Sequence, residues 1–150
     1  MNVQATVNPD YKDLVTENWI ETLVKAVLET HFQDQNSQVS IALEGDQAVH
    51  DLNMQYRAVD STTDVLSFEG GYPDPETGFY HLGDIIISVP QMQKQAAGAG
   101  HPFKQELALL VIHGILHLKG YDHAEPQEKE VMWKEQDQIL NQVREFFLDE

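Results

Sequence analysis

Apolar side chains follow two periods along the chain. Val3-Gln4-Ala5-Thr6-Val7 alternates as a half-buried strand does, and Asn8-Pro9-Asp10 ends it. From about residue 16 to 32, Ile20, Leu23, Val24, Val27 and Leu28 recur at helical spacing, with Thr16 suited to cap the helix. Val39-Ser40-Ile41-Ala42-Leu43 alternates again and Gly45 closes it, with a short helix expected over 46–56. Val65-Leu66-Ser67-Phe68 and Asp84-Ile85-Ile86-Ile87-Ser88-Val89 read as two more strands. Between them, Gly70-Gly71-Tyr72-Pro73-Asp74-Pro75-Glu76-Thr77-Gly78 is dense in turn residues and predicts a long mobile loop over residues 70–81.

Helices dominate the second half. Pro90 can open one that ends near Gly98, and Pro102 another that runs to about Lys119. A last helix is expected over about 126–147, with Met132, Ile139, Val143 and Phe146 on one face. Strands early and helices late, in mixed order, predict an α+β fold: a small mixed sheet of about four strands covered by helices. The 150 residues fit one domain over 1–150, and 41% hydrophobic content suffices for a single core.

Composition narrows the chemistry. There is no cysteine, so a metal site must rest on histidines and carboxylates. The start of the chain lacks a basic stretch followed by an apolar run, so no signal peptide is expected. The longest strongly apolar run, residues 107–112, is far too short to span a membrane. A cytoplasmic protein with no membrane or DNA partner is the expectation. The net charge of −16, from 25 acidic and 9 basic residues, should repel nucleic acid at long range.

The informative segment is His113-Gly114-Ile115-Leu116-His117-Leu118-Lys119-Gly120-Tyr121-Asp122-His123. His113 and His117 are four residues apart on a helix, so both imidazoles share one face and can reach one ion. Gly120 suits the left-handed conformation that ends a helix, and the returning chain can bring His123 to the same ion. Three neutral imidazoles leave a fourth tetrahedral position for water, the layout of a catalytic zinc site, so one Zn2+ per chain is expected. Three of the seven histidines fall within these eleven residues. His31, His50, His81 and His101 show no such grouping and read as surface or loop residues. The preceding run Leu107-Ala108-Leu109-Leu110-Val111-Ile112 is apolar all round, so the ligand helix should be buried. The ligand spacing is shared with a large class of zinc proteases. Those carry a glutamate general base directly after the first histidine, where this chain has Gly114.

The motif as a whole resembles that of the YbeY family, the bacterial metal-dependent endoribonucleases of ribosomal RNA maturation. Two further segments share the resemblance: Asn53-Met54-Gln55-Tyr56-Arg57-Ala58-Val59-Asp60-Ser61-Thr62-Thr63-Asp64-Val65-Leu66-Ser67-Phe68 and Gly83-Asp84-Ile85-Ile86-Ile87-Ser88. Together they cover most of residues 40–125. The resemblance implies a small mixed sheet with helices and cleavage of single-stranded RNA. It implies roles in maturing the 3′ end of small-subunit ribosomal RNA and in ribosome quality control. The acidic surface in turn suits docking on the small ribosomal subunit through its basic proteins, which are the expected partners. The resemblance also implies metal ligation by His113, His117 and His123, and a catalytic role for Arg57.

Those residues make chemical sense of such a reaction. Attack at a phosphodiester builds charge on the phosphoryl oxygens, and the planar fork of Arg57 can grip two of them. By spacing alone, a salt bridge from Arg57 to Asp60 or Asp64 is equally open. Asp122 can orient an imidazole or simply form the turn. Tyr121 reads as packing, and Asp84 as a strand-end residue bonding backbone. Lys94, Lys104 and Lys119 are the nearby candidates to supplement Arg57 as positive charge. A hydrolase of another substrate, peptide or small phosphoester, and a non-catalytic zinc-stabilised ribosome-associated factor are the competing readings.

Overall fold

The computed structural model describes residues 1–148. Four strands and five helices follow in the order β1 (Asn2–Val7), α1 (Glu17–Thr30), β2 (Ser37–Glu44), α2 (Asp46–Arg57), β3 (Val65–Pro73), β4 (Tyr80–Ser88), α3 (Val89–Ala99), α4 (Phe103–Leu118) and α5 (Pro126–Gln142). The fold is α+β, as the alternation of periods predicts.

The strands form one mixed sheet in the order β1-β2-β4-β3. β2 runs parallel to β1 and to β4, and β3 is antiparallel to β4 on the sheet edge. Parallel neighbours need a crossover, and α1 supplies it between β1 and β2. Its start is capped as expected: Thr16 Oγ1 accepts the Trp19 amide at 3.1 Å. One sheet face carries Val3, Ala5, Val7, Val39, Ile41, Leu43, Ile85 and Ile87, all buried. They meet Ile20, Leu23, Val24, Val27 and Leu28 of α1, together with α4, in one core.

α4 is the central helix. It packs on β3, β4, α1, α3 and α5. Its interior residues from Glu106 to Leu118 are almost all buried, as a helix apolar on every side must be. It is therefore a rigid support for whatever its C-terminal turn carries.

Residues 70–81 are not the long mobile loop that their glycines and prolines predict. β3 continues to Pro73 and β4 starts at Tyr80, leaving a six-residue connection. The ladder breaks at a bulge after Glu69 and resumes with Tyr72 opposite His81 and Pro73 opposite Tyr80. Proline is tolerated there because β3 is an edge strand, whose outward amides need no partner. At the other end of the chain, the helix expected to reach residue 147 stops at Gln142. A short 3-10 turn, Arg144–Phe146, follows. Trp19 Nε1 donates to the Phe146 carbonyl at 3.2 Å and pins this turn to α1.

Candidate metal centre

α4 ends in a Schellman motif. The Tyr121 amide donates to the Leu116 carbonyl and the Gly120 amide to the His117 carbonyl, both at 3.0 Å. Gly120 takes the required positive φ of 99°. The reversal returns the chain past its own last turn and brings His123 beside His113 and His117. One ligand nitrogen from each of the three rings lies within 4.8 Å of the others, so the cluster could hold a metal ion.

The donor set fits a tetrahedral ion. Nε2 of His113 and Nε2 of His117 are 3.2 Å apart. Two nitrogens bonded to one tetrahedral zinc stand about 3.4 Å apart, by geometry from the usual bond length. Nδ1 of His113 donates to Oε1 of Gln136 at 2.9 Å, which leaves Nε2 with its lone pair toward the cluster. Burial, reinforced by the neighbouring imidazoles, holds His113 and His117 below the usual histidine range and so in the neutral form that binds metal. Trp133 of α5 packs edge-on to His113 and His123 and walls the cluster.

Gln136 and Trp133 are not suggested by the motif, since both lie on the next helix. Gln136 carries a faint signal. It occupies the buried face of α5 between Met132 and Ile139, where a polar side chain needs a partner.

The three histidines line a cleft of about 840 Å³ that runs along the free edge of β3. Arg57, at the end of α2, lines the same cleft. Its Nη2 donates to the Ser67 carbonyl at 2.7 Å, and its guanidinium carbon lies 5.4 Å from the Phe68 ring centroid. No ion pair joins Arg57 to Asp60 or Asp64 among the described residues. Asp60 instead pairs with His50 at 2.7 Å, and Asp64 bonds Gln95 at 3.1 Å. The remaining guanidinium donors have no hydrogen-bond partner among the described residues.

Gly114 decides between two chemistries. It faces the sheet, where a Cβ would meet Ile85 Cδ1 at 2.9 Å. A glutamate at this position would run into the core, so the protease general base has no room here.

Some of the expectations for the other residues change and others hold. His81 is buried, not exposed, and its Nδ1 faces Gln38 Nε2 at 3.0 Å. His31, His50 and His101 are half-buried, each on a carboxylate: Glu135, Asp60 and Glu106. Asp84 bonds no backbone among the described residues; it faces His81 at 3.4 Å. Asp122 acts in the turn, accepting the His123 amide at 2.7 Å. Tyr121 packs against the core. Lys119 is held by Asp34 at 2.6 Å and lies over Phe32, and none of Lys94, Lys104 and Lys119 lines the cleft.

The model of the family described as Endoribonuclease YbeY matches residues 3–144. The chain belongs to the YbeY endoribonuclease family. A YbeY endoribonuclease of Dehalococcoides mccartyi is 37% identical, over 97% of this chain and 91% of that protein. One of Shouchella clausii is 45% identical over 79% of this chain and 82% of its own. The solution structure of a Thermotoga maritima protein is similar with a TM-score of 0.59 at 27% identity, over 94% of this chain and 88% of that one. The YbeY match spans all the elements that build the cleft, from α2 to α5.

Proposed function

We propose that this chain is a zinc-dependent single-strand endoribonuclease that acts in ribosomal RNA processing, with residues 1–150 forming one catalytic domain. The observation that carries the reading is the convergence of His113, His117, His123 and Arg57 on one open cleft that has no place for a protease's glutamate. The relatives named endoribonucleases supply the substrate class.

The residues divide the work. His113, His117 and His123 hold the ion, and Gln136 fixes the ring of His113 through Nδ1. When bound, zinc supplies Lewis-acid activation of water near neutral pH and positive charge beside the scissile phosphate. Arg57 is anchored by one N–H on Ser67 and offers the others to the phosphoryl oxygens as their charge builds. The Schellman turn and the buried α4 keep the ligands in place before substrate arrives.

The finer reading is maturation of the 3′ end of small-subunit ribosomal RNA and ribosome quality control in the cytoplasm, with the chain docked on the small subunit through its proteins. No helix among the described residues is long and apolar enough to cross a membrane. The test is incubation of the zinc-loaded chain with single-stranded RNA, casein and a simple phosphodiester, each with and without chelator. Chelator-sensitive cleavage of RNA alone is expected. Cleavage of casein, or RNA cleavage indifferent to chelator and to His117→Ala, would overturn the reading.

A further inference from the structure

The end of α2 leaves apolar side chains in solvent beside the cleft. Met54, Tyr56 and Val59 are all exposed, Tyr56 by 62%. Single exposed apolar residues need no explanation, but these cluster within six positions and flank Arg57. Across from them, Phe68 of β3 lines the cleft. The Tyr56 and Phe68 rings meet edge to face with centroids 5.5 Å apart, and Arg57 lies against the same Phe68 ring. Phe68, Arg57 and Tyr56 thus form a continuous shelf leading outward from the cleft.

We propose that this shelf is a stacking site for an unpaired nucleobase next to the scissile phosphate, with Tyr56 offering the exposed ring and Phe68 backing it. The proposal rests on the endoribonuclease reading and names how the RNA is held.

Charge supports stacking over phosphate clamping. Arg57 is the only Lys or Arg that lines the cleft among the described residues, against Asp64, Glu69 and Asp122. An RNA strand therefore meets few cations here, even with a divalent ion in place. Stacking needs no cation, and it accepts any base because every base has a π-face. The exposed ring also explains selectivity for single strands, since a paired base is already stacked within its helix.

The test compares the parent with Tyr56→Ala, Tyr56→Leu and Tyr56→Phe on one RNA oligomer. The same oligomer is then used with a single abasic ribose scanned across the cleavage site. Tyr56→Ala and Tyr56→Leu should raise KM about tenfold with kcat little changed, while Tyr56→Phe behaves as the parent. At one abasic position the parent should lose a similar factor, and there the alanine variant should lose nothing more. Independently of turnover, an oligomer carrying 2-aminopurine at that position should be quenched by the metal-free parent and not by Tyr56→Ala. Equal KM for all four proteins, or a deficit of Tyr56→Ala that persists at every abasic position, overturns the shelf alone. A zinc-loaded parent that cleaves no RNA and quenches no oligomer overturns the endoribonuclease reading and the shelf with it.

Discussion

Gly114 lies so close to Ile85 that a Cβ on residue 114 would stand 2.9 Å from the isoleucine Cδ1 and 3.0 Å from its Cγ2. Ile85 is fully buried in the middle of β4, so it has little freedom to give way. Alanine for glycine in a helix normally gains about 1 kcal/mol. Overpacking a core normally loses about 1–3 kcal/mol. Gly114→Ala should therefore be net destabilising by about 1 kcal/mol, a melting shift of about 2–4 °C. Ile85→Val in the same chain removes the nearest atom and should restore part of the loss. Thermal unfolding of the two variants checks this, and a more stable Gly114→Ala would show that α4 is free to lift off the sheet.

Gln136 should be the second most sensitive position for metal affinity after the ligands. Gln136→Leu keeps the volume on the buried face of α5 but removes the acceptor for His113 Nδ1. Losing such a partner typically weakens metal binding about 10–100-fold. Competition with a zinc chelator measures the effect, and an unchanged zinc affinity would show that α4 alone orients the ring.

That residue also marks where the sequence stops being readable. The histidine spacing, the glycine after it and the apolar helix before it are local features. They point to the cluster because helix geometry turns spacing into position. Gln136 meets His113 across 23 positions, and only tertiary packing makes that contact. Tyr72 and Pro73 belong to an edge strand that reads as a loop, because its glycines and prolines are acceptable only where one side of the strand lacks a neighbour. The order β1-β2-β4-β3 is set by how helices cross the sheet, and no strand's own pattern encodes it. Lys119 looked available for phosphate, but folding brings it to Asp34, 85 positions away.

The Asp34–Lys119 pair fastens the C-terminal cap of α4 to the connection that precedes β2. Burial alone would raise the Asp34 pKa, but hydrogen bonds from Lys119, Ser37 and the Asn36 amide, with the Lys119 charge, outweigh it and lower it to about 2. The ordinary value is 3.8, so the folded state holds this carboxylate ionised where the unfolded chain would take up a proton. Its contribution to stability is complete above about pH 4 and fades as pH falls through 2. Asp34→Asn should melt below the parent at neutral pH, by on the order of 1 kcal/mol. The gap should close as the two are compared at successively lower pH down to 2. A gap constant over that range would assign the effect to packing instead.

Arg57 tests geometry against charge. Arg57→Ala should keep the fold, since the side chain is exposed and makes one hydrogen bond to Ser67. It should lower kcat about 100-fold or more, the usual effect of removing one preorganised donor. Arg57→Lys should recover little, because an ammonium cannot both hold the Ser67 carbonyl and present a planar fork to phosphate. A lysine variant as active as the parent would reduce the role to charge. An alanine variant that unfolds would make it structural.

The last expectation follows from the charge of −16 and from where the few cations sit. Each RNA phosphate contact made by a cation contributes about −0.7 to the slope of log binding constant against log salt. With Arg57 the one Lys or Arg lining the cleft among the described residues, the slope for naked single-stranded RNA should be shallow, about −1 to −2, and the binding weak. Acidic surface of this extent is suited to basic protein partners, whose field would steer the chain to its substrate instead of repelling it. Small ribosomal subunits should therefore bind the chain more tightly than the same RNA sequence does when free. Subunit binding should also weaken more steeply with salt, because many acidic side chains then have partners. Titrations of both at several salt concentrations decide the matter. Tight, steeply salt-dependent binding to naked RNA with no preference for subunits would mean that cations outside the cleft carry the RNA, and that the acidity serves solubility alone.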